Sequence, residues 1–222
     1  MPYFLDTILD FLFPERCLGC HKAGVILCSD CVINLPTFRE QENDFVFSTL
    51  NYQKEIVKKA VWLLKYRRKK ELAKIFAGIV YENILEEIPD LKTFENFSDP
   101  ILIPIPLSEK RYKERGFNQA ELIAEHVSDM SATSGGRFVL EKNILKKIKD
   151  TPNQARIKDR SIRLENLKNC FSISEPEGIQ KIKNRNIILI DDVITTGATL
   201  LEAKKTLEKF GAKKVYAFTV AH

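Results

Sequence analysis

The chain has 222 residues, of which 44% are hydrophobic and 29% charged, and its formal net charge is +5. This composition favours a globular protein with a sizeable core. The longest apolar runs are much too short to span a bilayer, and residues 1–14 contain acids and lack a basic leader, so we expect a soluble cytoplasmic protein without membrane insertion. The length suits an N-terminal segment over 1–45 and one α/β domain over 46–222.

Four of the five cysteines form two Cys-x2-Cys pairs separated by seven residues, namely Cys17, Cys20, Cys28 and Cys31. Each pair can present two thiolates to one face of a metal ion, so two pairs complete a tetrahedral site. We expect a structural zinc ion (Zn²⁺), because four thiolates leave no open position for catalysis. Disulfides are the main alternative, although nothing in the sequence suggests an oxidising compartment. His21 is a bystander or a substitute ligand, and we prefer the first.

Helical spacing of apolar residues predicts two amphipathic helices within residues 53–88, joined by an exposed basic link. Pro89 and Pro100 then bracket a polar connection that leads to a short strand over 101–106. Asn118 can cap the following helix, and residues 138–140 begin another strand.

Residues 187–199 are the most informative segment. Four apolar residues before Asp191 suit a strand buried on both faces, and residues 198–210 have helical periodicity. The loop therefore lies where a strand ends and a helix begins, a position at which free N–H groups and the helix dipole favour an anion. Gly197 permits close approach of the backbone, and neighbouring threonines offer hydroxyl donors. A phosphate is the natural ligand, and an ordinary capped turn is the alternative.

Asp191 and Asp192 need a different partner, since two acids repel a phosphate. Ribose hydroxyls and Mg²⁺ fit them. An acid pair followed by Thr-Thr-Gly-x-Thr resembles the 5-phosphoribosyl-1-pyrophosphate (PRPP) signature of type I phosphoribosyltransferases. Residues 214–220 supply the last strand, and strands that alternate with helices predict a mostly parallel sheet.

Further segments resemble the competence protein ComF family of phosphoribosyltransferase-like proteins, in an order that covers nearly the whole chain. They are the paired cysteines, Leu64-Lys65-Tyr66, Pro104-Ile105-Pro106, the run from Arg111 through Arg115-Gly116-Phe117-Asn118-Gln119-Ala120, and the series Thr151, Gln154, Arg163, Asn166 and Phe171. The resemblance implies an α/β fold of the type I phosphoribosyltransferase (Rossmann-like) class. A mostly parallel sheet is flanked by helices in this fold, and a small N-terminal zinc module with four cysteine ligands precedes it.

The resemblance also implies roles for individual residues. Asp191 and Asp192 hold the ribose and are the candidate catalytic residues. PRPP is further bound by Val193, Ile194, Thr195, Thr196, Gly197, Ala198 and Thr199, with Pro106, Arg111 and Arg115 on the pyrophosphate side. A mobile flap that closes over the reacting centre corresponds to Lys147, Lys149, Thr151, Gln154 and Arg163, and a plain surface loop is the alternative.

Two functions remain open. In one, the protein is an enzyme that transfers phosphoribosyl to an unidentified acceptor. In the other, it handles imported single-stranded DNA during natural transformation, with PRPP or a nucleotide as regulatory ligand and other competence proteins as partners. The candidate contacts to nucleic acid or acceptor are Lys65, Tyr66, Arg67 and Arg68, with a solvated basic surface as the alternative. Only Tyr66 and Tyr112 are well placed to stack on bases, so the sequence favours PRPP. The oligomeric state is left open.

Overall fold

The fold is given by a computed structural model that describes residues 15–38, 44–136, 138–150 and 168–222. The strands of these residues are β1 (Val46–Leu50), β2 (Ile101–Pro104), β3 (Val139–Leu140), β4 (Leu145–Lys147), β5 (Phe171–Ile173), β6 (Asn186–Val193) and β7 (Lys214–Ala221). The helices are α1 (Ser29–Ile33), α2 (Glu55–Tyr66), α3 (Glu71–Glu95), α4 (Glu109–Arg115), α5 (Gln119–Thr133), α6 (Glu177–Ile182) and α7 (Ala198–Lys209).

Five strands form a parallel sheet in the order β1-β7-β6-β2-β3, and β4 and β5 form a separate antiparallel pair. The central strand β6 contains Ile187–Ile190, all fully buried, because helices cover both faces of the sheet. The prediction of a mostly parallel sheet flanked by helices is confirmed.

The two faces of the sheet have separate hydrophobic cores. Helices α2, α3 and α5 cover one face, and α7 with the β4–β5 pair covers the other. Cys17 and Cys28 belong to the first core, so the cysteine segment packs on the same apolar surface as α2 and α3. The domain boundary after residue 45 stays a prediction. None of the described helices is long and apolar enough to cross a membrane.

The predicted break at Pro89 is wrong, because α3 continues through this residue to Glu95. A proline inside a helix costs about 3 kcal/mol. Continuing the helix buries Leu91 and positions Phe97, whose N–H donates to the Leu91 carbonyl and whose side chain is fully buried. Burial of two such side chains contributes about 1.5 to 3 kcal/mol each and offsets the cost. Asn96, in the left-handed conformation, ends the helix instead.

The sheet reverses its strand order between β2 and β6. The chain leaves β2 through α4 and α5 toward β3, whereas it leaves β6 through α7 toward β7 on the other side. The two carboxyl ends lie together, since the Ile105 N–H donates to the Ile190 carbonyl at 2.9 Å. In open α/β sheets, ligands bind in the crevice that such a reversal creates.

Candidate functional site

The loop after β6 forms the centre of the crevice. Its residues, from Val193 to Leu200, line a small concavity of about 30 Å³ together with Asp191. Gly197 has a φ of +70°, which favours glycine, and it directly precedes α7. The first N–H groups of a helix have no intrahelical acceptor, so this turn can donate hydrogen bonds to an anion. All seven predicted loop residues, 193 to 199, lie here.

The two acids at the end of β6 have different surroundings. Asp192 is buried, and its Oδ1 is 2.8 Å from Nζ of Lys65 on α2. Asp191 lies at the edge of the crevice, and its Oδ1 accepts a hydrogen bond from the Asp192 N–H at 2.8 Å. Burial, followed by the charge of Asp192, raises the pKa of Asp191 to about 7, although Lys65, the Asp192 N–H and Lys147 act in the opposite direction. The Asp191 carboxyl is therefore able to take up or release a proton near neutral pH.

Asn118 ties the end of β2 to the start of α5. Its Nδ2 donates to the Ile105 carbonyl at 3.0 Å, and its Oδ1 accepts from the Ala120 N–H at 3.2 Å, so the predicted cap is confirmed. The bond from Asn118 to Ile105 fixes the residue before Pro106, next to the end of β6 where the two acids lie. On the same side, Nη1 of Arg115 donates to Oε1 of Gln119 at 2.7 Å, and Arg111 is half-buried on α4.

The link between α2 and α3 packs against the segment around Gly116. The Cζ of Arg115 lies 5.3 Å from the centroid of the Tyr66 ring, and Nζ of Lys70 lies 5.1 Å from the Phe117 ring. Arg68 crosses Gly116, where an added Cβ would come within 3.3 Å of its Nη2. Two segments that are distant in the sequence are thus packed against each other.

A larger cavity of about 620 Å³ includes Pro106 in its lining, and its volume is within the range of small-molecule sites. Several lysines in and around β4, including Lys147 and Lys149, line this cavity together with Pro106, Ser108 and Tyr112. Burial lowers the pKa of one of these, Lys147, and the charge of Arg111 adds to this effect, while Cys170, Asp191 and Asp150 oppose it. Lys147 therefore connects this cavity electrostatically to Asp191.

An aromatic row on α2 was missed by the sequence analysis. Trp62 and Tyr66 are 46% and 55% exposed, and their ring centroids are 6.1 Å apart. Arg67 lies over Trp62 at 5.4 Å, and Arg115 lies over Tyr66. We call Trp62, Tyr66, Arg67 and Arg115 the aromatic row. Its signal was present as two aromatics at i and i+4 on the polar face of a predicted helix.

Comparison with known proteins agrees with this geometry. A family model for the phosphoribosyl transferase domain matches residues 120–222. Competence protein ComFC of Bacillus subtilis is 32% identical over 87% of this chain and 71% of its own length. The chain belongs to the ComF family.

Two further relatives support this assignment. Competence protein ComFC of Streptococcus pneumoniae is 29% identical over 97% of this chain and 84% of its own length. Competence protein F of Haemophilus influenzae is 35% identical over 54% of this chain, and the match spans only 49% of that protein. The predicted phosphoribosyltransferase-like domain of the ComF family is therefore confirmed.

The four cysteines of this ComF-family chain form one cluster, in which all Sγ atoms lie within 4.8 Å of one another. The Sγ of Cys28 is 3.7 Å from that of Cys17 and 3.6 Å from that of Cys20. Tetrahedral coordination at bond lengths of about 2.3 Å places sulfur atoms about 3.8 Å apart, so the cluster fits a metal ion. His21 is not part of the cluster, and all four thiols are free of disulfides.

A hydrogen bond within the cluster also suits a thiolate. The N–H of Cys28 donates to the Cys17 Sγ at 3.4 Å. Burial raises the pKa of Cys17, but bonds from the backbone of Cys20, Cys28 and Gly19 outweigh it and lower the pKa to about 6. Such a thiol is readily ionised, as metal binding requires.

The structure places the predicted site residues of this ComF-family chain in several parts of the fold. Asp191 and the 193–199 loop line the small concavity, and Pro106 follows the end of β2 and lines the larger cavity. Arg111 and Arg115 are half-buried on α4, while Tyr66, Arg67 and Arg68 are exposed. Lys65 lies inside, on Asp192. Lys147 and Lys149 line the larger cavity. The other predicted flap residues, Thr151, Gln154 and Arg163, lie outside the described residues.

Proposed function

We propose that this protein binds PRPP with Mg²⁺ between the ends of β2 and β6 and transfers its phosphoribosyl group to an acceptor. One observation carries the proposal: two adjacent acids precede a glycine-containing turn at a helix N-terminus, at the point where the strand order reverses. The acids suit the ribose hydroxyls, and the turn suits the 5-phosphate.

Each group of residues has a distinct task in the proposed reaction. Asp191 and Asp192 accept hydrogen bonds from the ribose hydroxyls and orient the sugar. Arg111 and Arg115 balance negative charge on the departing pyrophosphate as the bond from ribose carbon to oxygen breaks and the bond to the acceptor forms. Mg²⁺ supplies further charge neutralisation. Asp191, with a pKa of about 7, is the group best suited to hold a proton during the transfer.

Turnover is tested by incubating the protein with PRPP and Mg²⁺ together with a panel of bases and amines. We expect pyrophosphate release that depends on one class of acceptor. Release by the wild type and none by an Asp191→Asn, Asp192→Asn variant would assign the activity to the crevice. PRPP binding without release for any acceptor would contradict a transferase and favour a regulatory ligand.

We further propose that the cysteine cluster holds structural zinc. Zinc suits a four-thiolate site and needs no open position there. In this proposal, residues 1–45 carry the zinc module, residues 46–222 form the transferase-like domain, and the protein acts in the cytoplasm.

A second function, the handling of single-stranded DNA, is favoured by the aromatic row. Relatives with the same domain are named competence proteins, which supports a role in DNA uptake. Exposed rings interleaved with arginines provide stacking surfaces and positive charge, the two elements that single strands require. Trp62 adds a ring that the sequence analysis did not count, and this ring increases the support for a role in DNA binding. Stacking on the two rings is compatible with PRPP binding, because Trp62 and Tyr66 are not among the proposed PRPP contacts, and Arg115 is the one member of the row that both functions would use.

We expect Trp62→Ala with Tyr66→Ala to weaken single-stranded DNA binding by about 30-fold or more, since each of the two stacked bases contributes about 1 to 3 kcal/mol. Neutralising Arg67 and Arg68 should lower the salt dependence of the affinity by about one charge per residue. Fluorescence anisotropy at several salt concentrations measures both effects. Phe94→Ala is the matched control, because Phe94 is exposed on α3 and is not part of the row. A flat salt response would exclude this mode of binding.

A further inference from the structure

Lys65 is less exposed than Tyr66, Arg67 and Arg68, which follow it in the sequence. Its Nζ is 2.8 Å from Oδ1 of Asp192, and only 18% of its side chain and 9% of the Asp192 side chain are exposed. The adjacent Leu64 is fully buried and anchors the last turn of α2. The ammonium group is therefore held on the acid pair, at a carboxylate oxygen, which is the type of ligand that divalent cations such as Mg²⁺ prefer.

The charges around the acid pair disfavour a free cation. The positive charges of Lys65 and Lys147 lower the pKa of Asp191, and Lys147 is in turn influenced by Arg111 and Asp150. Three bases therefore face three acids, so the site has no excess of negative charge even when every acid is ionised. A doubly positive ion that arrives alone meets no net attraction and is repelled by the ammonium group on Asp192, whereas a cation that arrives with a sugar diphosphate brings its own compensating negative charge.

We infer that Lys65 is a specificity-determining residue. Its ammonium group occupies Asp192 and prevents free divalent cations from binding there, so that a cation enters the crevice only together with a sugar diphosphate. The inference rests on the proposed function, in which that ligand is PRPP with Mg²⁺. It gives Lys65 a role in selecting the ligand of the acid pair, distinct from the nucleic-acid contact that its sequence position suggested.

Exclusion requires both the charge of Lys65 and its position. An arginine keeps the charge and can reach the same carboxylate, so Lys65→Arg should still exclude the cation. A methionine of similar length removes the charge and leaves the Asp192 oxygen accessible, so Lys65→Met should admit it. Lys58→Met makes the same change of net charge on an exposed position of the same helix and is the matched control.

The test measures binding of Mn²⁺ alone to the full-length, zinc-loaded protein, by electron paramagnetic resonance of the unbound ion at pH 8. We expect weak binding by the wild type, Lys65→Arg and Lys58→Met, and an affinity higher by about tenfold or more for Lys65→Met. Adding Asp192→Asn to Lys65→Met should remove the gain, which locates the ion at the acid pair. Lys65→Gln serves as a second neutral variant, and circular dichroism checks the fold of each.

Two results would overturn the inference. One is an unchanged Mn²⁺ affinity in a folded neutral variant. The other is tight binding of Mn²⁺ alone by the wild type that disappears with Asp191→Asn and Asp192→Asn. This second comparison does not depend on whether any Lys65 variant folds. Calorimetry with PRPP is a separate measurement. If no form of the protein binds PRPP, the proposed function fails. The Mn²⁺ series still decides whether Lys65 prevents a free cation from binding to Asp192.

Discussion

Replacing Asp191 and Asp192 with asparagine is expected to abolish PRPP binding in the presence of Mg²⁺. Each acid is proposed to accept charge-assisted hydrogen bonds from a ribose hydroxyl, and a bond to a charged group contributes about 1.5 to 3 kcal/mol. Loss of both therefore weakens binding by about 100- to 10,000-fold. The asparagines keep the volume of the side chains, so the change tests charge rather than packing. Isothermal titration calorimetry measures the affinity.

The control is the double variant Asp90→Asn with Asp129→Asn, which removes two exposed carboxylates from helices away from the crevice. Its affinity should equal that of the wild type. The asparagine at 192 leaves Lys65 without its partner, so thermal unfolding is recorded first, and Asp191→Asn alone is used if the double variant does not fold. Undiminished affinity in a folded variant would rule out the ribose assignment.

Replacing Cys28 with serine is expected to release the metal and unfold the N-terminal part of the chain. Cys28 lies between two other sulfurs of the cluster, at 3.7 and 3.6 Å. Binding of structural zinc contributes about 10 to 16 kcal/mol in small zinc domains, and loss of one thiolate forfeits much of it. Because Cys17 and Cys28 share a core with α2 and α3, the loss should also lower the unfolding temperature of the whole protein.

Elemental analysis of protein purified without a histidine tag should find one zinc ion per wild-type chain and substoichiometric zinc after Cys28→Ser. Cys170→Ser is the matched control, because Cys170 is fully buried and lies outside the cluster. This variant should lose some stability but keep its zinc. A stable, metal-free wild-type preparation would contradict the zinc site.

Local patterns were sufficient for much of the fold. The buried strand before Asp191, the cap at Asn118 and the paired cysteines are each encoded within a few neighbouring residues, so periodicity and spacing predicted them. The antiparallel pair β4–β5 and the edge strand β1 were not predicted, since such short strands lack a periodic pattern of their own. Pro89 was misinterpreted because its local cost is offset by burial elsewhere in the core.

By itself, the sequence determined the chemistry available to this protein, because the acid pair, the hydroxyl-rich turn and each thiol pair are contiguous segments whose functional groups lie close together in any fold. Only the tertiary structure decided which basic residues contact the acid pair and which remain on the surface. Lys65 turns inward to Asp192, while Tyr66 and Arg67 join Trp62 and Arg115 on the surface. The physical reason is that one helical turn points successive side chains in different directions, and the packing of α2 against the sheet and α4 decides what each of them meets.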